Sequence, residues 1–271
     1  MSAVKESLKN TLPAPVYNVL RESRDALVRG SLWPAATFHP WRRDSVRRLA
    51  ELRDAHRGKR CFLIGNGPSL KQTELSRLKG EFTLGTNRIY LAFPELGFAT
   101  KYYLSVNDLV IEQCAQEIQN LPMPRFISWR GRKWIRPQEN LFFIHTTYTG
   151  EKFAQDIRGR VWEGGTVTYT ALQVAFYLGF AQVILIGVDH NYVGASGKPN
   201  ETVVSQGDDP NHFHPGYFGK GFRWQLPDLV QWEDAYRLAR CTYEAAGRSV
   251  IDATIGGKLT VFPKVDYDSL F

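Results

Sequence analysis

Cys61-Phe62-Leu63-Ile64-Gly65-Asn66-Gly67-Pro68-Ser69-Leu70 runs from a short apolar segment straight into a polar turn too tight for side chains. Four apolar residues followed by Gly and Pro read as a buried strand, and the turn after it reads as a ligand site, with an ordinary strand-to-helix connection the alternative. Gly65 and Gly67 can take positive φ and leave backbone N–H groups exposed. Asn66 and Ser69 add side-chain donors and acceptors that suit a phosphate or a nucleotide, and Pro68 stiffens the turn. The spacing is neither Gly-x-Gly-x-x-Gly nor Gly-x-x-x-x-Gly-Lys-Ser/Thr, so the dinucleotide and P-loop NTPase classes are set aside.

Working outward, further short apolar or aromatic runs recur at 82–86, 102–106, 125–128, 141–144, 183–188 and 249–253, separated by helical or loop-like stretches. That alternation predicts an α/β fold, Rossmann-like, with a mainly parallel sheet and helices on both faces. Two helices are legible. Residues 166–178 place Thr170, Val174 and Tyr177 on one row and Ala171, Ala175 and Leu178 on another, ending at Gly179; residues 228–246 close at Gly247. The apolar stretch 171–188 is too polar at Gln173 and Gln182, and too broken at Gly179, for a membrane span; it reads as helix, turn and buried strand.

The 271 residues carry a formal charge of +7. Residues 1–60 hold 13 Lys or Arg against 6 Asp or Glu, and the remainder holds 21 of each sign. The basic character therefore belongs to a helical N-terminal extension, residues 1–58, broken at Pro13, Pro15, Pro34 and Pro40. There Arg42, Arg43, Arg47 and Arg48 flank Trp41, a pattern that suits an anionic membrane surface. The plainer reading is a solvated basic helix packed on the domain by Val46, Leu49, Ala50 and Leu52. Nucleic acid is not the expected partner. Residues 59–271 form the catalytic domain, with a long lid-like loop at about 191–225 rich in Gly, Pro, Asn, His and aromatics. Val4, Leu8 and Leu12 are spaced like one helical face interrupted by charge, unlike a signal peptide. Cys61, Cys114 and Cys241 lack disulfide or zinc spacing, which points to a reduced, cytoplasmic setting, with peripheral association on the inner face of the membrane if the extension meets lipid.

Ligands of open parallel sheets sit outside the carboxyl ends of the strands. Here those ends read Gly65-Asn66-Gly67, Thr86-Asn87-Arg88, Val106-Asn107-Asp108 and Gly187-Val188-Asp189-His190-Asn191-Tyr192. Asn66, Asn87 and Asn107 can together hold a base, ribose and phosphate; singly, each reads as an Asx-turn. Asp189 and His190 suit Mg²⁺ or a substrate hydroxyl, with Asp189 as a turn cap the alternative. In the lid, His212 and His214 are candidate bases for an acceptor hydroxyl. His-x-His is also a metal pair on a strand, but no Cys or third His lies near, and no metal is assigned. Tyr217, Phe218, Phe222 and Trp224 offer a stacking face or simply bind the lid to the core, and Lys220 and Arg223 read as a solvated face, with neutralisation of phosphate the alternative.

The Gly65-Asn66-Gly67-Pro68-Ser69-Leu70-Lys71 run, with Thr86-Asn87-Arg88, Leu178-Gly179-Phe180 and Leu185-Ile186-Gly187-Val188-Asp189, resembles the MptE-type 6-hydroxymethylpterin diphosphokinases and flagellin-modifying motility accessory factors. That family is related to the bacterial lipooligosaccharide sialyltransferases. The resemblance covers about residues 60–254. It implies a Rossmann-like nucleotide-binding domain and, for the sialyltransferase branch, a CMP-activated sugar donor used without metal. By position it carries nucleotide binding to Asn66, Asn87 and Asn107, contact with the departing phosphate to Tyr192, and the base to His212 or His214. The Arg-x-Thr-Ser-Gly turn of that branch is replaced by Glu163-Gly164-Gly165-Thr166, which puts Gly165 and Thr166 at the nucleotide; Tyr217 joins Asp189, His190 and Tyr192 as phosphate or substrate contacts.

Three functions follow as expectations. The first is an inverting glycosyltransferase of cell-surface glycan assembly, taking a nucleotide-sugar donor and a glycan or glycolipid acceptor, with no cofactor. The second is a pterin diphosphokinase needing ATP and Mg²⁺. The third is a non-catalytic nucleotide-binding envelope protein.

Overall fold

A computed structural model describes residues 13, 16, 23, 27, 30–148, 152–194 and 197–271. Val4, Leu8, Leu12 and Pro15 lie outside the described residues. In chain order the main elements are α1 (Pro40–Leu52), β1 (Arg60–Ile64), β2 (Thr83–Thr86), β3 (Tyr102–Ser105), α2 (Asp108–Gln113), β4 (Arg125–Ser128), β5 (Leu141–Thr147), β6 (Arg160–Trp162), α3 (Val167–Tyr177), β7 (Gln182–Ile186), β8 (Thr202–Val204), β9 (Arg223–Gln225), α4 (Leu229–Ala245) and β10 (Ser249–Asp252).

Eight strands form one sheet in the order β10-β7-β1-β2-β3-β4-β5-β6, every pairing parallel. The chain winds from β1 out to β6, then returns to lay β7 on the other side of β1. The crevice between β1 and β7 is thus the point where the winding reverses, the place where open α/β sheets bind ligands.

Alternation along the strands divides the core into two layers. Cys61 and Leu63 of β1, with Val183 and Leu185 of β7, face the layer that holds α3 and α4. Phe62 and Ile64, with Ile184 and Ile186, face the layer that holds α2 and Trp129. A strand buried on both faces has no polar side to show, which is why these runs are apolar throughout. Residues 168–177 of α3 are all buried, because the helix lies between the sheet and α4; a helix hydrophobic all round belongs inside. Gly179 takes φ +93° beyond its end, as a left-handed stop requires.

Two expectations need correction. Within the described residues, the segment assigned to a peripheral extension before residue 59 is built into the domain: α1 lies on β5, Leu49 is fully buried, and Ser45 Oγ accepts from Phe143 N at 3.0 Å. Part of its basic–aromatic cluster is turned inward. Trp41 stacks on Phe143, Arg42 is 1% exposed and donates to Arg158 O and Gly159 O, and Arg48 donates to Leu141 O. Arg42 and Arg48 thus meet carbonyl groups of the domain, whereas Arg43 and Arg47 are exposed, Arg47 pairing with Asp44 at 2.8 Å. Val46 and Leu52 are half-buried and Ala50 is exposed. No described helix is long and apolar enough to cross a membrane.

The loop 191–225 contains an antiparallel hairpin, β8 with β9, and its tip lies folded over the strand ends. Tyr217 and Phe218 pack on Val110 of α2 with Phe213, Phe222 and Trp224 around them, so the aromatics do bind the lid to the core. Arg88 clamps the tip: its guanidinium donates to Gly216 O at 2.8 Å and to Tyr217 O, and lies over the rings of Tyr217 and Phe222. Arg88→Ala is expected to speed amide exchange at residues 213–222 by about tenfold, the worth of one good hydrogen bond. Unchanged protection there would show that the aromatic cluster holds the tip alone.

Candidate functional site

The turn after β1 is shaped by what lies against it. Gly67 has φ −69°, and Gly65 is not among the residues of positive φ. Nor are their N–H groups free: Gly65 N donates to Ile186 O at 2.8 Å and Gly67 N to Gly187 O at 2.9 Å. This corrects the expectation that these glycines serve left-handed geometry and a phosphate cradle. Close approach is the reason for them. A Cβ on Gly65 would sit 2.3 Å from Gly187 O, and one on Gly67 would sit 1.8 Å from Asp189 Oδ2. The ends of β1 and β7 interlock at a separation no side chain permits.

Asp189 completes the interlock. Its carboxylate accepts from Ser69 N at 3.0 Å and from Ser69 Oγ at 2.7 Å, tying the β7 end to the 3₁₀ turn Pro68–Gln72. Burial raises the Asp189 carboxyl above its ordinary value, and the Ser69 bonds pull partly back. Ser69 is therefore engaged as a brace, and it does not line the cavity described next. Each oxygen of Asp189 thus accepts one hydrogen bond from Ser69.

A cavity of about 160 Å³ opens at the β1–β7 crevice. Gly65, Asn66, Gly67, Asn87, Asn107, Gly165, Thr166, Asp189, His190, Tyr192, His212 and Tyr217 all line it, so twelve of the fourteen candidate residues converge. Ser69 and His214 do not. Asn66 Nδ2 donates to Thr86 O at 3.1 Å and Thr86 Oγ1 at 2.9 Å, while its Oδ1 is buried without a partner. Asn87 sits at φ +48° and accepts from Ser105 Oγ at 3.1 Å. Asn107 caps α2, its Oδ1 accepting from Leu109 N and Val110 N, and its Nδ2 donates to Gln225 Oε1. Of the three, Asn66 has an unused acceptor, and Asn107 is mainly the cap that its position before a helix predicts.

The histidines separate. His214 Nδ1 accepts from Gly216 N at 3.1 Å and serves its own turn. His212 Nδ1 lies 2.7 Å from Asp209 Oδ2, and its ring stacks on Tyr217 with centroids 3.9 Å apart and planes 8° from parallel. Asp209 is itself fixed by Asn211 N and Phe218 N. Placed so, a neutral imidazole with its proton on Nδ1 toward Asp209 has Nε2 as its acceptor, the arrangement a general base needs. The His-x-His metal geometry does not form, and among the described residues no three His, Cys, Asp or Glu side chains group as ligands.

The far wall comes from α3 and α4. Thr166 caps α3 with its Oγ1 accepting from Thr168 N, and Gly165 at φ +76° lies so near Trp232 that a Cβ would meet its ring at 2.9 Å. Burial pushes the Tyr192 phenol well above its ordinary value, so it is a neutral hydroxyl there. Among the described residues no Lys or Arg lines the cavity; Arg223 pairs with Glu112 at 2.9 Å and Lys220 is exposed, in keeping with a solvated face. Asp209, Trp232 and Glu233 were not read as site residues from the sequence. Asp209 alone had a local signal, an acidic residue three before a candidate base; α4 reaches the cavity only through the tertiary fold.

No family model matches the chain, and no curated protein matches it. Among solved structures it is similar to the structure of MAf glycosyltransferase from Magnetospirillum magneticum AMB-1, with a TM-score of 0.50 and 14% identity, over 85% of this chain and 39% of that one. The chain thus spans about two fifths of the length of that protein. At this identity the likeness shows a shared Rossmann-like fold.

Proposed function

We propose that the protein is an inverting, metal-independent glycosyltransferase that takes a CMP-linked sugar and passes it to a glycan or glycolipid hydroxyl in cell-surface glycan assembly. The observation that carries the reading is the Asp209–His212 pair, set on the cavity wall that also holds Asn66, at the crevice where such folds bind nucleotides. His212 Nε2 takes the acceptor hydroxyl proton as that oxygen attacks the anomeric carbon; the bond from sugar to phosphate breaks, and its electron pair leaves with the nucleotide. Likeness of fold to a solved glycosyltransferase, and the resemblance of the Gly-Asn-Gly-Pro-Ser-Leu run, support the same class.

The wall chemistry favours this over ATP-dependent diphosphate transfer. A nucleoside monophosphate sugar presents one phosphodiester charge, which neutral donors and the N-terminus of α3 can accept. A triphosphate presents several, and phosphoryl transfer relies on cationic side chains and Mg²⁺ to neutralise them. The cavity is smaller than the roughly 300–1,000 Å³ usual for ligand sites, so the donor enters by lifting the lid tip held by Arg88.

Thermal shift with CMP, UDP, GDP and ATP, each with Mg²⁺ or EDTA, tests the reading. CMP at about 100 times its Kd is expected to add about 2.7 kcal/mol of stability irrespective of EDTA. Stabilisation by ATP alone, and only with Mg²⁺, would favour the diphosphokinase; nucleotide binding with no transfer would favour the non-catalytic protein.

A further inference from the structure

Trp33, Phe38, Tyr148 and Phe271 are the exposed large aromatic side chains among the described residues, and of these Tyr148 alone directly follows a strand of the sheet, at the carboxyl end of β5. It stands between two pieces of the cavity wall. Its hydroxyl donates to Asp108 Oδ2 at 3.3 Å, and Asp108 follows Asn107, which lines the cavity. On the other side Glu163 N donates to Thr147 O at 2.9 Å, and Glu163 opens the turn whose Gly165 and Thr166 line the cavity.

The Tyr148 residue is 54% exposed, yet it is fixed from one side: the guanidinium of Arg130, a residue 8% exposed, lies 4.2 Å from the centroid of its ring. Arg130 commits every donor to oxygen. Nε meets both oxygens of Asp108, one terminal nitrogen meets Thr146 O and Oγ1, and the other meets Val106 O and Glu163 Oε1. A guanidinium so filled has no N–H left for a ligand, and what it presents outward is the ring it carries. An aromatic ring held on a buried cation, with its hydroxyl tied, keeps its open face in one orientation, so a ligand laid on it meets a surface already ordered.

Resting on the glycosyltransferase reading above, we propose that Tyr148 is the platform for a neutral sugar of the acceptor glycan. The electron-rich face of the ring suits the axial C–H face of a pyranose, and the Asp108 side chain, 32% exposed, accepts from the hydroxyl groups at its edge. Two carboxylates, Asp108 and Glu163, stand against the one guanidinium, which disfavours an acidic sugar on the ring. Donor and acceptor then have separate places, the crevice for the nucleotide and its β5 rim for the acceptor.

Saturation-transfer NMR of the full chain with methyl β-glucoside, methyl β-galactoside and methyl β-glucuronide tests this, since the glucuronide differs from the glucoside only in a carboxylate at the last carbon. The native chain is expected to transfer saturation to the axial hydrogens of at least one neutral glycoside, and to bind it more tightly than the glucuronide. Tyr148→Ala is expected to weaken that binding by about two- to tenfold, the range for one stacking contact, and Tyr148→Phe to keep most of it. Both variants are expected to keep CMP affinity within about twofold, because the ring stands outside the cavity. No transfer to either neutral glycoside in the native chain, a glucuronide bound as tightly as the glucoside, or equal glycoside binding by Tyr148→Ala and the native chain overturns the platform. CMP titration of the same samples separates the two readings. A native chain that binds no CMP removes the nucleotide-sugar reading, while the contrast between native and Tyr148→Ala still decides the platform.

Discussion

His212→Ala is expected to lower turnover by about 10²–10⁴-fold while leaving CMP affinity near that of the native protein, because a positioned base contributes that much to the chemical step and little to binding. His214→Ala is expected to stay within about twofold of the native rate. The two differ by two positions in sequence and by everything in surroundings: His212 is fixed by Asp209 and stacked on Tyr217 at the cavity, whereas His214 closes a turn outside it. Asp209→Asn keeps the fixing hydrogen bond but favours the wrong tautomer, and so is expected to lower turnover in the same direction. Equal activity of His212→Ala and the native chain in single-turnover transfer would remove the base assignment.

Gly65→Ala is expected to destabilise the fold by about 1–3 kcal/mol or more, the range for overpacking a full core. The obstacle is the carbonyl of Gly187, 2.3 Å from the added methyl, so relief requires the ends of β1 and β7 to part and the 2.8 Å bond from Gly65 N to Ile186 O to lengthen. Gly67→Ala meets a side chain instead, Asp189, which can rotate only by giving up its bonds to Ser69. The double variant Gly67→Ala with Asp189→Ala is therefore expected to cost less than the sum of the two singles, since each removes part of one contact. Urea denaturation reads these effects. A Gly65→Ala variant within about 0.5 kcal/mol of the native protein would mean that the two turns do not interlock as described.

Most of the architecture is legible in local pattern. All seven runs read as strands lie in the sheet, because strands covered on both faces must be apolar along their whole length. Thr166 and Gly179, Asp228 and Gly247 bound α3 and α4 because caps and left-handed stops are chemical properties of single residues. Strand β6 and the β8–β9 hairpin were not legible; three residues each are too few to establish a period, and their pairing partners supply the order.

The site divides the same way. Where the ligand crevice lies follows from strand ends and a reversal of winding, and polar residues at apolar strand tips mark it in the amino-acid order alone. What each of them does there was decided by neighbours far along the chain. Ser69 is spent on Asp189, 120 positions away; Asn107 is spent on α2; Glu233 reaches His190 across 43 positions; and Arg42 and Arg48 meet carbonyls of the domain instead of solvent. A side chain has few hydrogen-bonding valences, and whichever partner the fold brings near consumes them first. Composition and spacing therefore determine which groups are available, and only tertiary packing decides which of them are left over to meet a ligand.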